Sequence, residues 1–477
     1  MRILIFSITP LFPDHDMGGG QKHLRNIAVH LAEHGHHVKL LCTQREDTRT
    51  PFHWHPNAEV LPILRFKQPF PGPYDTGAHN LAGIIQDVAE HLAGADVFYI
   101  HDGEFTFPFV YQNRPTVIGL RDNVYPETIQ GMFHFSADRL IVISDYARQF
   151  VLQTAGRFYA ELPGRLTVIR NSLDWTRFRP MPARRIRELI PEVNPAEHAI
   201  VLHPHRPEES KGMWETLEVV DRLVHQHGIT NLRLLTPRWL FADQDPGAQE
   251  FYARVEARVA ERGLSGHVIF HPWVPVDLLP EYYSLGHVTL SLGHFVETFG
   301  NTVYESLGCG TPSIVARIST HRELLPEELI DKVDYGDHDT AAQIAADILR
   351  EKRRTSAETM VTLHDQFSNE AQLNAYMRVI TEARVAPPMR FRAAPLGDST
   401  RYILPVWCYR SPARGIYHDF RADYLRDPAL EAVLDGHPSG FTAEGALSQG
   451  VSREQIEHWY REGYLAPLPP GSTSPVP

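Results

Sequence analysis

The sequence predicts an α/β protein of two doubly wound domains followed by a small, mostly helical C-terminal unit. Three observations carry that prediction. Short apolar runs alternate with amphipathic stretches of helical period, a pattern that calls for parallel strands joined by helical crossovers. The alternation breaks off and starts afresh near Ile200, giving two series. Finally, 477 residues exceed what a single hydrophobic core commonly serves.

The first series opens with a strand at 3–8 and a loop carrying Gly18, Gly19 and Gly20. A helix follows that turns Leu24, Ile27, Ala28 and Leu31 inward and stops at Gly35. Strands are expected next at 38–42, 97–100, 116–120 and 140–143. The second series places strands at 200–203, 232–235, 268–270, 288–292 and 312–316. Between the two, 177–195 is rich in proline and charge and reads as the linker. Open α/β sheets bind ligands beyond the carboxyl ends of their strands, so the loops after these strands are where chemistry is expected.

Composition narrows the classes of function. Hydrophobic residues make up 43% and charged residues 22%, as in ordinary globular proteins. A net charge of −12 argues against a general nucleic-acid binder, whose affinity rests on Lys and Arg neutralising phosphates. Cys42, Cys309 and Cys408 are far apart and odd in number, which indicates neither a disulfide framework nor a Cys-rich zinc site and fits a reducing cytoplasm. The opening apolar run is shorter than a signal-peptide core and reads as the first buried strand. No apolar run approaches the ~20 residues needed to span a bilayer. Membrane contact is therefore expected to be at most peripheral, at the inner face, with 64–74 as a weak candidate against the plainer reading of a proline-rich loop.

The most informative stretch is 291–316. It sets Glu297 and Glu305 eight positions apart around a glycine turn, Phe299-Gly300-Asn301, that opens a short helix. Gly300 lets the backbone approach a ligand, and the free amides of a helix beginning near Asn301 suit a diphosphate. One turn further, the Glu305 carboxylate can accept hydrogen bonds from a vicinal diol such as a ribose.

This stretch resembles the Glu-x7-Glu signature of the family 4 retaining glycosyltransferases, and the likeness extends from residue 1 to about 382. Gly18-Gly19-Gly20, His101-Asp102 after a strand, the segment Val168 to Pro180, and Arg206 with Lys211 follow the family's order. The resemblance implies the GT-B architecture of two facing Rossmann-like domains. Residues 1–180 would bind the acceptor, 181–364 the nucleotide sugar, and 365–385 would supply a helix closing back on the first domain. It assigns Glu297 to the donor-sugar hydroxyls, Phe299, Gly300 and Asn301 to the phosphate turn, and Glu305 to ribose. Arg206 and Lys211 would touch the diphosphate, where charge grows as the anomeric bond breaks. Gly19 and Gly20 would offer amides to the donor or acceptor. His101 would contact the sugar near the reacting carbon, oriented by Asp102 or Glu104. Taken singly, a strand-end histidine in a chain with 27 histidines, or two cations in one loop, would pass for ordinary structure.

The implied reaction is retaining transfer from a nucleotide diphosphate sugar to a glycan, lipid-linked, small-molecule or protein acceptor, with no cofactor. Three Asp-x-Asp tripeptides, Asp14/Asp16, Asp243/Asp245 and Asp337/Asp339, fall in unrelated loops, so no metal is expected. The competing readings are a nucleotide-sugar epimerase on the same scaffold and a non-catalytic nucleotide-sugar-binding protein. The sequence departs from the family pattern at Gly293-His294, at Ile318 to Glu323 and at Val333 to Asp339, which leaves nucleotide and sugar open.

Residues 386–477 lie outside the resemblance. Within 390–477 nine Lys and Arg face ten acids, so this is no basic arm. A Ser452-Arg-Glu-Gln455 capping box ahead of Ile456 and Trp459 points to a small helix-turn-helix or winged-helix-like unit. Protein or peptide contact is expected of it rather than DNA binding, with a disordered Pro/Ser end at 468–477.

Overall fold

A computed structural model describes residues 1–15, 18–45, 48–66, 76–103, 105–240 and 242–468, the side chains of Glu127 and Gln244 excepted. Asp16, Glu104, most of the 64–74 stretch and the end of the tail lie outside the described residues. The chain divides into two compact units. Unit 1 holds 1–171, 370–406 and 427–477, and unit 2 holds 172–369 and 407–426.

The large sheet of unit 1 has eight strands among the described residues: β1 (Arg2–Phe6), β2 (His37–Thr43), β3 (Phe52–His55), β4 (Ala58–Leu64), β5 (Val97–Ile100), β6 (Thr116–Leu120), β7 (Arg139–Val142) and β8 (Leu166–Val168). They lie in the order β3-β4-β2-β1-β5-β6-β7-β8. Only β3 runs antiparallel to its neighbour. Ile3, Ile5, Val97 and Tyr99 pack against Leu24, Ile27 and Leu31 of helix Gly19–Glu33, and Tyr376 and Ile380 of helix Asn369–Thr381 close the same core. Central strands buried on both faces are continuous apolar runs, which is why β1, β5 and β6 are legible as sequence.

Unit 2 carries β9 (Ala199–Leu202), β10 (Leu232–Pro237), β11 (Val268–His271), β12 (Val288–Ser291), β13 (Ser313–Ala316) and β14 (Asp331–Val333). Their order is β11-β10-β9-β12-β13-β14, all parallel. The chain winds outward from β9 through β10 to β11, then crosses to β12 and winds the other way. The order therefore reverses at β9/β12, and the loops leaving those two strands flank the switch point where such sheets hold ligands.

Three expectations are corrected. The proline-rich 177–195 stretch is not a free linker: Phe178, Ile186, Ile190 and Val193 are buried in a core of unit 2 with Tyr282 and Leu285. Its backbone is fixed by the Glu281 carboxylate, which accepts the Arg184 and Arg185 amides at 2.8 Å each and Arg185 Nε at 2.9 Å. Apolar residues spaced among prolines and arginines hid that packing. The boundary accordingly falls at 171/172 rather than 180/181.

Nor does 386–477 stand as a third, mostly helical unit. Besides helices Pro428–Gly436, Ala443–Ser448 and Arg453–Arg461 it holds β15 (Arg401–Ile403), β16 (Cys408–Ser411), β17 (Gly415–His418), β18 (Asp423–Leu425), β19 (Phe441–Thr442) and β20 (Ala466–Pro467). The helices and the antiparallel sheet β19-β15-β20 belong to unit 1, whereas the meander β16-β17-β18 belongs to unit 2. The Ser452/Gln455 capping box forms as expected from the sequence. Among the described residues no helix is long and apolar enough to cross a membrane.

Candidate functional site

In unit 2 the loop after β9 and the loop after β12 are pressed together by two glycines. A Cβ on Gly293 would lie 2.2 Å from the Ser210 carbonyl oxygen, and one on Gly212, whose φ is +86°, would lie 2.3 Å from the Gly293 nitrogen. The Phe295 amide donates to the same Ser210 carbonyl at 2.9 Å. This backbone contact is what sets Lys211 beside Glu297, 86 residues later. Lys211 Nζ donates to Glu297 Oε1 at 2.7 Å and lies 3.4 Å from the centre of the Phe295 ring. The lysine side chain is 12% exposed and the glutamate 25%.

Burial is the largest influence on the Glu297 carboxyl and pushes its pKa up. The Lys211 charge and hydrogen bond, with His321 and Arg206, outweigh it and hold the group below the ordinary carboxylate value. Glu297 is thus an anion with the Lys211 cation in contact and Arg206 nearby. Arg206 sits at the exposed rim of the same loop, paired with Glu208 at 3.1 Å.

Past Glu297 the chain turns at Gly300, φ +85° and ψ +57°, into helix Asn301–Gly308. A side chain there would strike His321, whose ring carbon lies 2.5 Å from where a Cβ would sit, so the turn requires glycine twice over. The helix has no side-chain cap and no acid in its first turn, so the amides at its start are donors that suit an anionic ligand. Glu305 follows one turn on, 7% exposed, accepting from the Tyr283 hydroxyl at 3.2 Å. Phe299 is buried against Tyr304 and Phe367 and serves packing in this turn.

Two residues of this site escaped the sequence reading. Burial, reinforced by Lys211, depresses the His205 pKa to about 3, and burial depresses that of His321 to about 4 despite the opposing pull of Glu297. Both rings are neutral at ordinary pH, and both keep a buried Nε2 with no partner among the described residues. His205 adjoins Arg206 in the sequence, which was its one signal. His321 had none of that kind, being brought in from beyond β13.

The remaining predicted residues lie in unit 1. Gly19 opens helix Gly19–Glu33, with Gly18 as its N-cap, and the Gly20 backbone hydrogen-bonds to His101. His101 directly follows β5, buried, its Nδ1 3.3 Å from the Tyr99 hydroxyl and its Nε2 3.7 Å from Asp102. Asp102 has φ +62°, uncommon for a side-chain-bearing residue. Burial first, then Arg121, lowers the His101 pKa. Arg121, also missed, donates to His23 Nδ1 at 2.7 Å and to Asn171 Oδ1 at 3.0 Å. Unit 1 therefore gathers His101, Gly20, His23 and Arg121, while unit 2 gathers Lys211, Glu297, Gly300 and Glu305.

Three aspartates of the Asp243/Asp245 and Asp337/Asp339 pairs have local duties. Asp245 and Asp337 cap helices, and Asp339 pairs with Arg222. Among the described residues no group of three or more His, Cys, Asp or Glu is placed to hold a metal ion.

Comparisons with known proteins bear on the family and the fold. A family model described as Glycosyltransferase Family 4 matches residues 17–177, and one described as Glycosyl transferases group 1 matches 186–357. D-inositol 3-phosphate glycosyltransferase of Acidothermus cellulolyticus is 30% identical over 186 residues, 38% of this chain and 39% of that protein. The enzyme of that name from Thermobifida fusca is 24% identical over 418 residues, 79% of this chain and 92% of the relative. Sucrose-phosphate synthase from Thermosynechococcus elongatus shares the fold at a TM-score of 0.63 and 19% identity, covering 80% of this chain and 98% of that one. HepE from Anabaena, solved with UDP and glucose, does so at 0.62 and 18%, covering 80% and 99%. With two Rossmann-like sheets, the Glu297/Glu305 signature and two models laid end to end along most of its length, the chain belongs to the family 4 glycosyltransferases.

Proposed function

We propose that the protein moves a sugar from a nucleotide diphosphate sugar to an acceptor hydroxyl with retention of anomeric configuration and without a metal. One observation supports this reading: Lys211 and Glu297 are in contact on the loops that leave β9 and β12, and the chain turns from there at Gly300 into the short helix that carries buried Glu305. As the anomeric C–O bond to the diphosphate breaks, negative charge collects on the departing oxygens. Lys211, Arg206 and the amides from Asn301 onward are the groups that would offset it. Glu297 would orient sugar hydroxyls and Glu305 the ribose diol. The new bond forms on the same face, and the acceptor proton passes to the leaving diphosphate, so no protein base is required. HepE's solution with UDP and glucose supports a uridine-linked donor. Acceptor recognition is assigned to unit 1, where neutral His101 and the Arg121 guanidinium offer hydrogen bonds to a hydroxylated ligand.

A thermal-shift series of nucleotides and nucleotide sugars, run with and without chelator, tests the proposal, because a ligand that binds the native state raises its melting temperature with its affinity. UDP and one UDP-sugar should stabilise the protein in EDTA as well as in Mg²⁺. Stabilisation by no nucleotide sugar, or only in the presence of metal, would contradict the reading. Conversion of a free nucleotide sugar to its isomer without acceptor would make the protein an epimerase instead.

A further inference from the structure

The three-stranded meander Cys408–Leu425 is drawn from the segment outside the family likeness, yet it folds into unit 2 against the loops that frame Glu297. Tyr417 of β17 packs with Ala316 and Ile318 at the end of β13, and Tyr409, Tyr424 and Tyr335 surround them. Just after β17, Asp419 is 1% exposed and grips the loop 317–322. Its carboxylate accepts Arg322 Nη1 at 2.7 Å and Arg322 Nη2 at 2.8 Å, and takes the Ser319 amide at 3.3 Å. Ser319 is held at φ +45°, a conformation that costs a side-chain-bearing residue unless its surroundings impose it.

The held loop carries His321, whose ring fills the space beside Gly300 and whose Nδ1 lies 3.3 Å from the Tyr304 hydroxyl. Ser319 Oγ, Thr320 Oγ1 and His321 Nε2 are buried there without partners among the described residues. Buried polar groups are normally satisfied, so three in succession mark a loop shaped for something besides its own chain. The meander also fixes the neighbouring loop. Tyr424 Oη and Arg414 Nη1 donate to the Tyr335 carbonyl at 3.2 and 3.4 Å, while the Tyr335 hydroxyl donates to Glu215 at 2.7 Å and lies 3.3 Å from His294.

We propose that this meander is a structural part of the donor site, with Asp419 as the positioning residue that fixes loop 317–322 and so seats His321 against the Glu297–Gly300 turn. The inference rests on the proposed nucleotide-sugar function and assigns the loop to the sugar half of the donor. The nucleotide half depends instead on Lys211 and Glu305.

Equilibrium binding of UDP and of UDP-glucose to the full chain tests it. In Asp419→Asn, UDP-glucose affinity should fall about tenfold relative to UDP, a loss of about 1.4 kcal/mol that general destabilisation would not direct at one ligand. Adding Ser319→Gly, which adopts positive φ freely, should restore part of the ratio. An unchanged ratio, or equal losses for both ligands, would overturn the proposal. If Asp419→Asn does not fold, Tyr424→Phe keeps the ring and must shift the ratio the same way. Hydrogen exchange gives a reading that needs no ligand. Amides of 318–324 and of the Gly300 turn should exchange faster in the variant than in wild type while β9 and β10 stay protected, and unchanged protection would sink the clamp itself. Failure of wild type to bind UDP would count against the proposed function, whereas unaltered exchange counts against the clamp alone.

Discussion

Lys211 stands between two partners that want its charge: the Glu297 carboxylate at 2.7 Å and, on the proposed reading, a diphosphate. Removing the ammonium leaves a half-buried carboxylate unpaired and strips the leaving group of its nearest fixed cation. Lys211→Met should lower the transfer rate by roughly 10²–10³-fold, the range seen when one such donor is deleted. A variant within a few-fold of wild type in a labelled-sugar transfer assay would take Lys211 out of the chemistry. Glu305→Gln keeps the shape and the Tyr283 contact but loses the charge, and should weaken UDP binding by about tenfold, as befits a charge-assisted hydrogen bond.

The buried histidines make stability depend on pH with a definite sign. Burial lowers His205 to about 3 and His271, His287 and His321 to about 4, against 6.5 in an unfolded chain. The unfolded state therefore takes up protons first as pH falls. The stability these groups contribute is complete above about pH 6.5 and is lost progressively as pH falls, until about pH 4 for His271, His287 and His321 and about pH 3 for His205. Thermal unfolding should occur at lower temperature at pH 5 than at pH 7.5, and His321→Gln should flatten that dependence. A melting temperature indifferent to pH across this window would show that the rings are not held neutral. Of the individual residues, Glu297, Glu305, Arg206 and Lys211 were legible because family spacing marks them, whereas His321 and Arg121 were not, since each reaches its place only through the tertiary fold.

At the level of loops and strands, the close approach of Gly212 to Gly293 is the joint on which the site turns. Gly293→Ala would drive a methyl into the Ser210 carbonyl, 2.2 Å away, with backbone rather than a pliable side chain opposing it. The expected result is a lower melting temperature together with a loss of UDP affinity larger than that of Phe299→Leu, which disturbs packing alone. Wild-type behaviour in both assays would mean that the two loops are not rigidly joined. Apolar strands such as β1 and β9 could be read from sequence because burial on both faces writes itself as runs of Val, Ile and Leu. β3, with Phe52-His-Trp-His55, and β14, with Asp331-Lys-Val333, could not, since short strands bearing polar residues look like loops. Lys332 in β14 is nonetheless buried, its Nζ satisfied by the Arg322 carbonyl.

The molecule as a whole departs from a simple chain of domains, because the segment after 386 is shared between both units. Composition recorded its balanced charge and its capping box but carried no signal for where each piece docks. Asp419 finds Arg322 across 97 residues, and Arg157 finds the Tyr460 hydroxyl across 303. Truncation after residue 385 would uncover Ala316 and Ile318, which Tyr417 covers, and take from Arg322 the Asp419 carboxylate it pairs with. The truncated chain should lose amide protection in β13 and in β7 alike. A truncated protein with wild-type protection would show the segment to be a mere attachment.

The most direct measurement is a crystal structure of the full chain soaked with UDP. The diphosphate should lie against Lys211 and the amides that follow Gly300, with the ribose hydroxyls on Glu305. Density for the nucleotide anywhere else, with those groups untouched, would contradict the donor site described above.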